Sequence, residues 1–211
     1  MSGMLYLVPT PIGNLGDLSD RIRETLSEAD FIAAEDTRVS LKLLNHLGLK
    51  KPLVSYFEHN RAESGPRIVQ RLLAGETCAL VTDAGTPAIS DPGEDLVALC
   101  AQAGITVCAI PGPCAVITAL AVSGLPTGRF TFEGFLSTNK KSRRSHLEQL
   151  RGETRTMVFY EAPHKLCQTL ADLAECFGAD RRISLCRELS KLHEEILRMT
   201  LGEAIAYYES Q

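Results

Sequence analysis

Polar side chains gather at the points where short apolar runs stop. The run Cys78-Ala79-Leu80-Val81-Thr82 gives way to Asp83-Ala84-Gly85-Thr86-Pro87-Ala88-Ile89-Ser90-Asp91-Pro92-Gly93. Phe31-Ile32-Ala33-Ala34 gives way to Glu35-Asp36-Thr37-Arg38, and Val54-Ser55-Tyr56-Phe57 to Glu58-His59-Asn60-Arg61. The oxygen atoms of Asp83, Thr86 and Ser90 offer polar contacts on a path stiffened by prolines and freed at glycines. None of the three loops at strand ends, Pro9 to Ser19, Asp83 to Gly93 and Pro111 to Ala115, holds a nucleophile beside a base, a metal cluster or a lysine-bearing phosphate motif. The set therefore fits a small-molecule pocket better than covalent hydrolysis. A structural reading stands beside each. Ser90 or Asp91 can cap a helix carrying Leu96, Val97, Leu99 and Cys100, and Asp36 can cap one carrying Val39, Leu43, Leu44 and Leu47. A histidine such as His59 is usually just surface.

The elements that must position these stretches follow from periodicity. Leu5-Tyr6-Leu7-Val8 reads as a strand running into Pro9-Thr10-Pro11-Ile12-Gly13-Asn14-Leu15-Gly16-Asp17-Leu18-Ser19. That loop is P-x-G-x-x-G where a dinucleotide fingerprint would need G-x-G-x-x-G, so it resembles a phosphate cradle only weakly. Ser19 or Asp17 caps a helix through Ile22, Leu26 and Ala29. A helix with Ile68, Val69, Leu72 and Leu73 stops at Gly75. Ile105 to Ile110 is a strand ending in Pro111-Gly112-Pro113-Cys114-Ala115, and a small apolar helix follows to Ser123. This recurrence of strand, loop and helix predicts a parallel sheet covered on both faces. Ligands of such sheets bind at the carboxyl ends of the strands.

The texture changes at Gly124-Leu125-Pro126-Thr127-Gly128. A boundary there makes residues 1–123 an α/β domain and residues 124–211 a second, α+β domain with a mixed sheet. Phe130 to Leu136 alternates with period 2. Lys140, Lys141, Arg143 and Arg144 follow without an apolar anchor, which predicts a mobile basic loop that is either solvated or in contact with phosphates. Further strands are expected at Thr156–Tyr160, Arg182–Cys186 and Ile196–Thr200, with a helix starting near Gly202.

The 211 residues can bury one sizeable core or two small ones. With 45% hydrophobic and 23% charged residues, the composition is ordinary for a soluble globular protein. No apolar stretch approaches the roughly 20 residues that cross a bilayer, so no membrane partner is expected. The amino terminus lacks a basic region ahead of a hydrophobic one, which speaks against a signal peptide. The seven cysteines lack paired metal spacing and sit mostly in apolar strings, the usage of free thiols in a reducing cytoplasm. A net charge of −4 argues against wholesale nucleic-acid coating but leaves room for a local basic site. The absence of tryptophan and the 6% aromatic content give no support for a repeated base-stacking platform.

Together, Val8 to Asp17, Ala34 to Arg38, Asp83 to Gly93, Ile110 to Ala115 and Phe159-Tyr160-Glu161-Ala162-Pro163-His164 resemble the tetrapyrrole-methylase superfamily. Within it they resemble the RNA-acting branch of bacterial small-subunit rRNA cytidine 2′-O-methyltransferases. The resemblance implies two α/β domains with a cofactor cleft between them, S-adenosylmethionine as cofactor, and a cytoplasmic homodimer acting on small-subunit rRNA or the small ribosomal subunit. Carried over by motif, it implies cofactor contacts at Pro11, Asp83, Ala84, Gly85, Thr86, Ile89, Cys114 and Ala115, and at Glu161 and Leu189 in the second domain. Porphyrin-acting relatives have Gly-Asp-Pro in place of Gly85-Thr86-Pro87 and Met in place of Glu161, so both positions favour the RNA-acting branch. Chains of that branch normally continue past the position of Gln211, which implies that the second domain is truncated here.

The implied chemistry is in-line displacement at a methyl carbon, which needs alignment, exclusion of water and no metal. A ribose hydroxyl needs a base, or cations that favour the alkoxide. Glu35 and Asp36 are the candidate proton acceptors, and Arg38, Arg187 and Lys191 the electrostatic helpers. An ion-pair network of Glu35, Asp36, Arg38, Arg187 and Glu188 is the structural alternative. His59, Lys140, Lys141, Arg143 and Arg144 are the candidate RNA contacts. Two competing readings are a tetrapyrrole or corrin-precursor methylase and a catalytically silent cofactor-binding module of ribosome assembly.

Overall fold

In a parallel sheet covered on both faces, consecutive side chains of every strand enter different cores. The amino-terminal half of this chain does so in the computed structural model, which describes residues 3–210. Met1 and Ser2, part of the stretch read for a leader, and Gln211 lie outside the described residues. Strands β1 (Met4–Leu7), β2 (Phe31–Ala34), β3 (Leu53–Ser55), β4 (Cys78–Val81) and β5 (Thr106–Ala109) are all parallel, in the order β3-β2-β4-β1-β5. Leu5, Phe31, Ala33, Cys78 and Leu80 enter one core, together with Ile68 and Leu72 of α3 (Arg61–Leu73) and Leu96 and Cys100 of α4 (Gly93–Gln102). Val8, Ile32, Ala34, Ala79 and Val81 enter the other, with Ile22 and Leu26 of α1 (Asp20–Glu28) and Leu44 of α2 (Thr37–His46). Burying side chains such as Leu5 and Leu72 contributes about 1.5–3 kcal/mol each.

The topology determines where a ligand can enter. β1 and β4 are neighbours, yet the helix after β1 packs on one face and the helix after β4 on the other. The chain therefore leaves these two strands in opposite directions and opens a crevice at their carboxyl ends, the switch point of a doubly wound sheet. The five-fold strand, loop and helix pattern expected from the sequence is present up to the helix that follows β5.

The chain divides into two compact units, Met1–Ala115 and Val116–Gln211. The division falls ahead of the texture change at Gly124 because α5 (Ala115–Val122) bonds to later strands. The Cys186 thiol approaches the Ala119 carbonyl at 3.8 Å, and Arg198 donates to the Val122 carbonyl at 2.6 Å. In the second unit β6 (Phe130–Phe135) pairs in parallel with β7 (Thr156–Tyr160), and β8 (Arg182–Arg187) pairs antiparallel with β9 (Glu195–Thr200). The β6 register shifts between Phe132 and Gly134, where the glycine takes a φ of 63°. α7 (Leu166–Phe177) and α8 (Leu201–Glu209) share a core around Leu170, Leu201 and Ala204. Thr200 and Glu203 form a capping box at the start of α8.

One local expectation is overturned. The basic run is not a loop: Lys140 to Arg144 open α6 (Lys140–Gln149). Asn139 caps this helix, its side-chain oxygen accepting from the Lys141 and Ser142 amides at 3.1 Å each. Leu147 anchors the same helix in the interior, an apolar contact one turn beyond the charged run.

Candidate functional site

At the crevice between β1 and β4, backbone and hydroxyl contacts tie the loops together. Thr10 and Gly85 form an isolated antiparallel bridge in which each amide donates to the other's carbonyl at 3.0 Å. The buried Thr10 hydroxyl donates to the Thr82 carbonyl at 3.0 Å, and the Thr86 hydroxyl to the Pro113 carbonyl at 2.8 Å. Gly85 has a φ of 87°, a conformation that L side chains rarely adopt. A Cβ on Gly112 would meet the Pro9 ring at 2.8 Å, so the first and third loops touch only because that residue is glycine. Pro11, Asp83, Ala84, Gly85, Thr86 and Cys114 thus come from three loops into one neighbourhood, with Ala115 next in the chain. Ile89 stands farther along the middle loop and is 46% exposed.

Within the middle loop, the helix-entry reading falls on Asp91: its Oδ1 accepts from the Gly93 amide at 2.7 Å and the Ala88 amide at 3.0 Å. These bonds hold Ala88 at a φ of 67° and Ser90 at 64°. The Asp91 Oδ2 is buried without a hydrogen-bond partner. The Tyr56 hydroxyl donates to the Pro92 carbonyl at 3.2 Å, and burial pushes its pKa up to about 12. Asp83 and Ala84, earlier in the same loop, are exposed.

Glu35 and Asp36 adjoin in sequence but have opposite acidities. Burial pushes the Glu35 carboxyl above its ordinary value. The Thr82 hydroxyl, donating at 3.1 Å, pulls it partly back, and the nearby carboxylates of Asp83 and Asp91 push it up further. Asp36 instead accepts from the Arg38 guanidinium at 3.0 and 2.7 Å and from the Arg38 amide at 2.8 Å. Those bonds lower its pKa to about 2. A carboxylate so held is a poor proton acceptor, which leaves Glu35 as the better base of the two. The Asp36 amide donates to Asp83 at 3.1 Å, tying this loop to the central one.

The remaining candidates each have local neighbours of their own. His59 is exposed beside the edge of the Phe57 ring. Arg187 pairs with Glu195 at 3.2 Å across the β8–β9 ladder, and Lys191 pairs with Glu188 at 3.0 Å. Leu189 is half-buried between two residues of positive φ, Glu188 and Ser190. Glu161 accepts from the Thr169 hydroxyl at 2.5 Å and from the Ala162 amide at 2.7 Å. Lys140, Lys141 and Arg144 are exposed, whereas Arg143 turns inward to Asp172 at 2.5 Å and Thr169 at 2.7 Å. Sequence reasoning passed over Thr10, Thr82 and Thr169, each a hydroxyl whose partner lies far along the chain or on another element. The only local signals were Thr10 set between two prolines and Thr82 as the one polar residue of an apolar run.

Residues 4–205 match the family described as Tetrapyrrole (Corrin/Porphyrin) Methylases. A protein of Synechocystis sp. named ribosomal RNA small subunit methyltransferase I is 53% identical over 206 residues, covering 98% of this chain and 74% of that protein. Its namesakes in Halalkalibacterium halodurans and Pseudomonas aeruginosa are 54% and 50% identical, covering 96% of this chain in each case and 70% and 72% of theirs. Among solved structures, a diphthine synthase aligns with a TM-score of 0.75 at 15% identity, over 97% of this chain and 84% of that one. The uroporphyrin-III C-methyl transferase of Thermus thermophilus, solved with S-adenosyl homocysteine, aligns with a TM-score of 0.66 at 19% identity, over 99% and 93%. These distant structures share the fold. The chain belongs to the tetrapyrrole (corrin/porphyrin) methylase family.

Proposed function

We propose that the protein is an S-adenosylmethionine-dependent methyltransferase that modifies a cytidine 2′-oxygen in small-subunit ribosomal RNA. One observation carries this reading: loops knitted at a sheet switch point, in a chain half identical to proteins named for small-subunit rRNA methylation. The residues present suit an adenosyl cofactor. Gly85 keeps backbone bare where the loops cross, Pro11 and Ile89 offer apolar surface to a base, and the exposed Asp83 carboxylate can accept from hydroxyls. Cys114 and Ala115 border the same loops, and Glu161 and Leu189 are the contacts assigned by motif in the second unit. Bound S-adenosylmethionine supplies a methyl group on an activated sulfonium leaving group.

The chain's own residues orient the ribose and take its proton. Glu35, held by Thr82 and made more basic by burial, is the assigned acceptor of the 2′-hydroxyl proton. Arg38 neutralises Asp36 beside it and so limits the repulsion that an incoming phosphate would meet. Arg187 and Lys191 are assigned the role of favouring the alkoxide, and His59 that of touching RNA. The functional form is a cytoplasmic homodimer, which sedimentation of the purified protein tests. Activity is tested with labelled S-adenosylmethionine, unmodified small-subunit rRNA or particles, and a tetrapyrrole. Label at a cytidine 2′-oxygen is the expected result. Label on the tetrapyrrole, or cofactor binding without transfer, overturns the assignment.

A further inference from the structure

A groove of about 560 Å³ lies between α6 and α7, entirely within the second unit. Leu136, Leu147 and Thr169, all buried, line it from below. Its rim is charged unevenly. Glu148 is matched by Arg151 through two hydrogen bonds of 2.9 and 2.8 Å, and Asp172 by Arg143 and by Gln168 at 2.8 Å. With those pairs cancelled, Lys140, Arg144 and Lys165 face a single unmatched acid, Glu175. Among the described residues, neither lysine nor Arg144 forms an ion pair, although the chain as a whole is acidic at −4. Cations left unmatched on an acidic protein are an electrostatic footprint for a polyanion.

We propose that this groove binds the sugar–phosphate backbone of the RNA substrate, with Lys140, Arg144 and Lys165 as phosphate contacts and Arg143 as the strut that fixes α6 against α7. The proposal rests on the rRNA reading given above and adds to it a site assembled from two helices. Lys165, 24 positions beyond Lys141 in the chain, joins the basic run only through the fold. The three cations are spread along both walls and solvated, rather than converging with buried donors on one point. That layout suits successive phosphates of a strand better than one tightly held anion. Arg143 is withheld from phosphates, because its side chain is 14% exposed and is engaged by Asp172 and Thr169, with Glu161 at 4.0 Å.

The test measures binding of an unmodified small-subunit rRNA transcript and of small-subunit particles between about 50 and 200 mM salt. The Lys140→Gln/Arg144→Gln/Lys165→Gln variant is expected to bind both at least about tenfold more weakly at the lower salt. It should also reduce the slope of log affinity against log salt by about 2, as for three lost contacts. Its S-adenosylmethionine affinity, read by calorimetry, should equal that of the unaltered protein. Neutralising the exposed Arg23, Lys42 and Lys50 of the first unit should leave the slope intact. An unchanged slope in the triple variant, with the unaltered protein still methylating rRNA, overturns the groove assignment alone. Weakening confined to particles overturns it in favour of an acidic protein surface. Failure of the unaltered protein to bind or methylate rRNA overturns the functional reading and the groove with it.

Discussion

The Thr82 hydroxyl donates to the Glu35 carboxylate at 3.1 Å, and the next residue, Asp36, donates its amide to Asp83 at the same distance. Two strand ends, β2 and β4, are thereby cross-linked through polar atoms at the mouth of the crevice. Glu35→Gln keeps an acceptor for Thr82 but removes the base. Methyl transfer in single-turnover assays should fall by about 10²- to 10⁴-fold, with cofactor affinity unchanged. Because burial raises the folded-state pKa above the ordinary 4.5, ionising Glu35 opposes folding. Its contribution to stability is fully present below that value and is lost as pH rises through the raised one. The Glu35→Gln variant should therefore melt no lower than the parent at neutral pH, and the pH–rate profile of the parent should fall on its acid side.

Asp36 has the opposite sign. Its pKa is lowered from 3.8 to about 2 by the Arg38 guanidinium and amide, so its contribution is present above 3.8 and is lost as pH falls towards 2. Asp36→Ala, which loses both the helix cap and the ion pair, should lower the melting temperature more than Asp36→Asn, which keeps a capping oxygen. The difference between the parent and Asp36→Ala should shrink as pH falls through that window. Thermal melts at a series of pH values check both statements.

Gly85 and Gly104 both have positive φ, 87° and 67°, but a Cβ on Gly85 would meet Ile12 at 3.4 Å, whereas one on Gly104 would meet nothing within 4 Å. Alanine at either position should cost about 1–2 kcal/mol in denaturant unfolding. Only Gly85→Ala should also weaken S-adenosylmethionine binding, as read by calorimetry. Equal affinity in the two variants would remove Gly85 from the cofactor site.

Arg143→Ala removes the cationic partner of Asp172 and the guanidinium 4.0 Å from Glu161, carboxylates only 24% and 12% exposed that keep neutral donors alone. The expected loss is about 3 kcal/mol, with Arg143→Lys recovering only part of it because an ammonium lacks the planar fork. Urea melts provide the measurement. A loss near zero would return Arg143 to the set of available phosphate contacts.

Thiol titration provides an independent check on the cores. Burial pushes Cys78 up to about 12 and Cys100 up to about 11, while Cys167 is exposed. In the folded protein at mildly alkaline pH, Cys167 should react with a disulfide reagent well before Cys78 and Cys100. Rapid modification of Cys78 would mean that the core around β4 opens readily.

The sequence by itself determined the alternation of strand, polar loop and helix in the first unit, because period, turn residues and caps are local. It also determined that the loops after β1, β4 and β5 carry the motifs, and those motifs identify the family. Tertiary structure decided which neighbour each polar atom meets. Glu35 and Asp36 are adjacent carboxylates in the sequence, and they differ because burial raises Glu35, which the Thr82 hydroxyl from another strand offsets only in part, whereas Asp36 folds back on Arg38. Likewise Lys140 to Arg144 form one basic run in the sequence. A helix, capped by Asn139 and anchored by Leu147, points Arg143 into a polar network and leaves Lys140 and Arg144 beside the distant Lys165. Burial and through-space partners depend on long-range packing, and no local pattern encodes them.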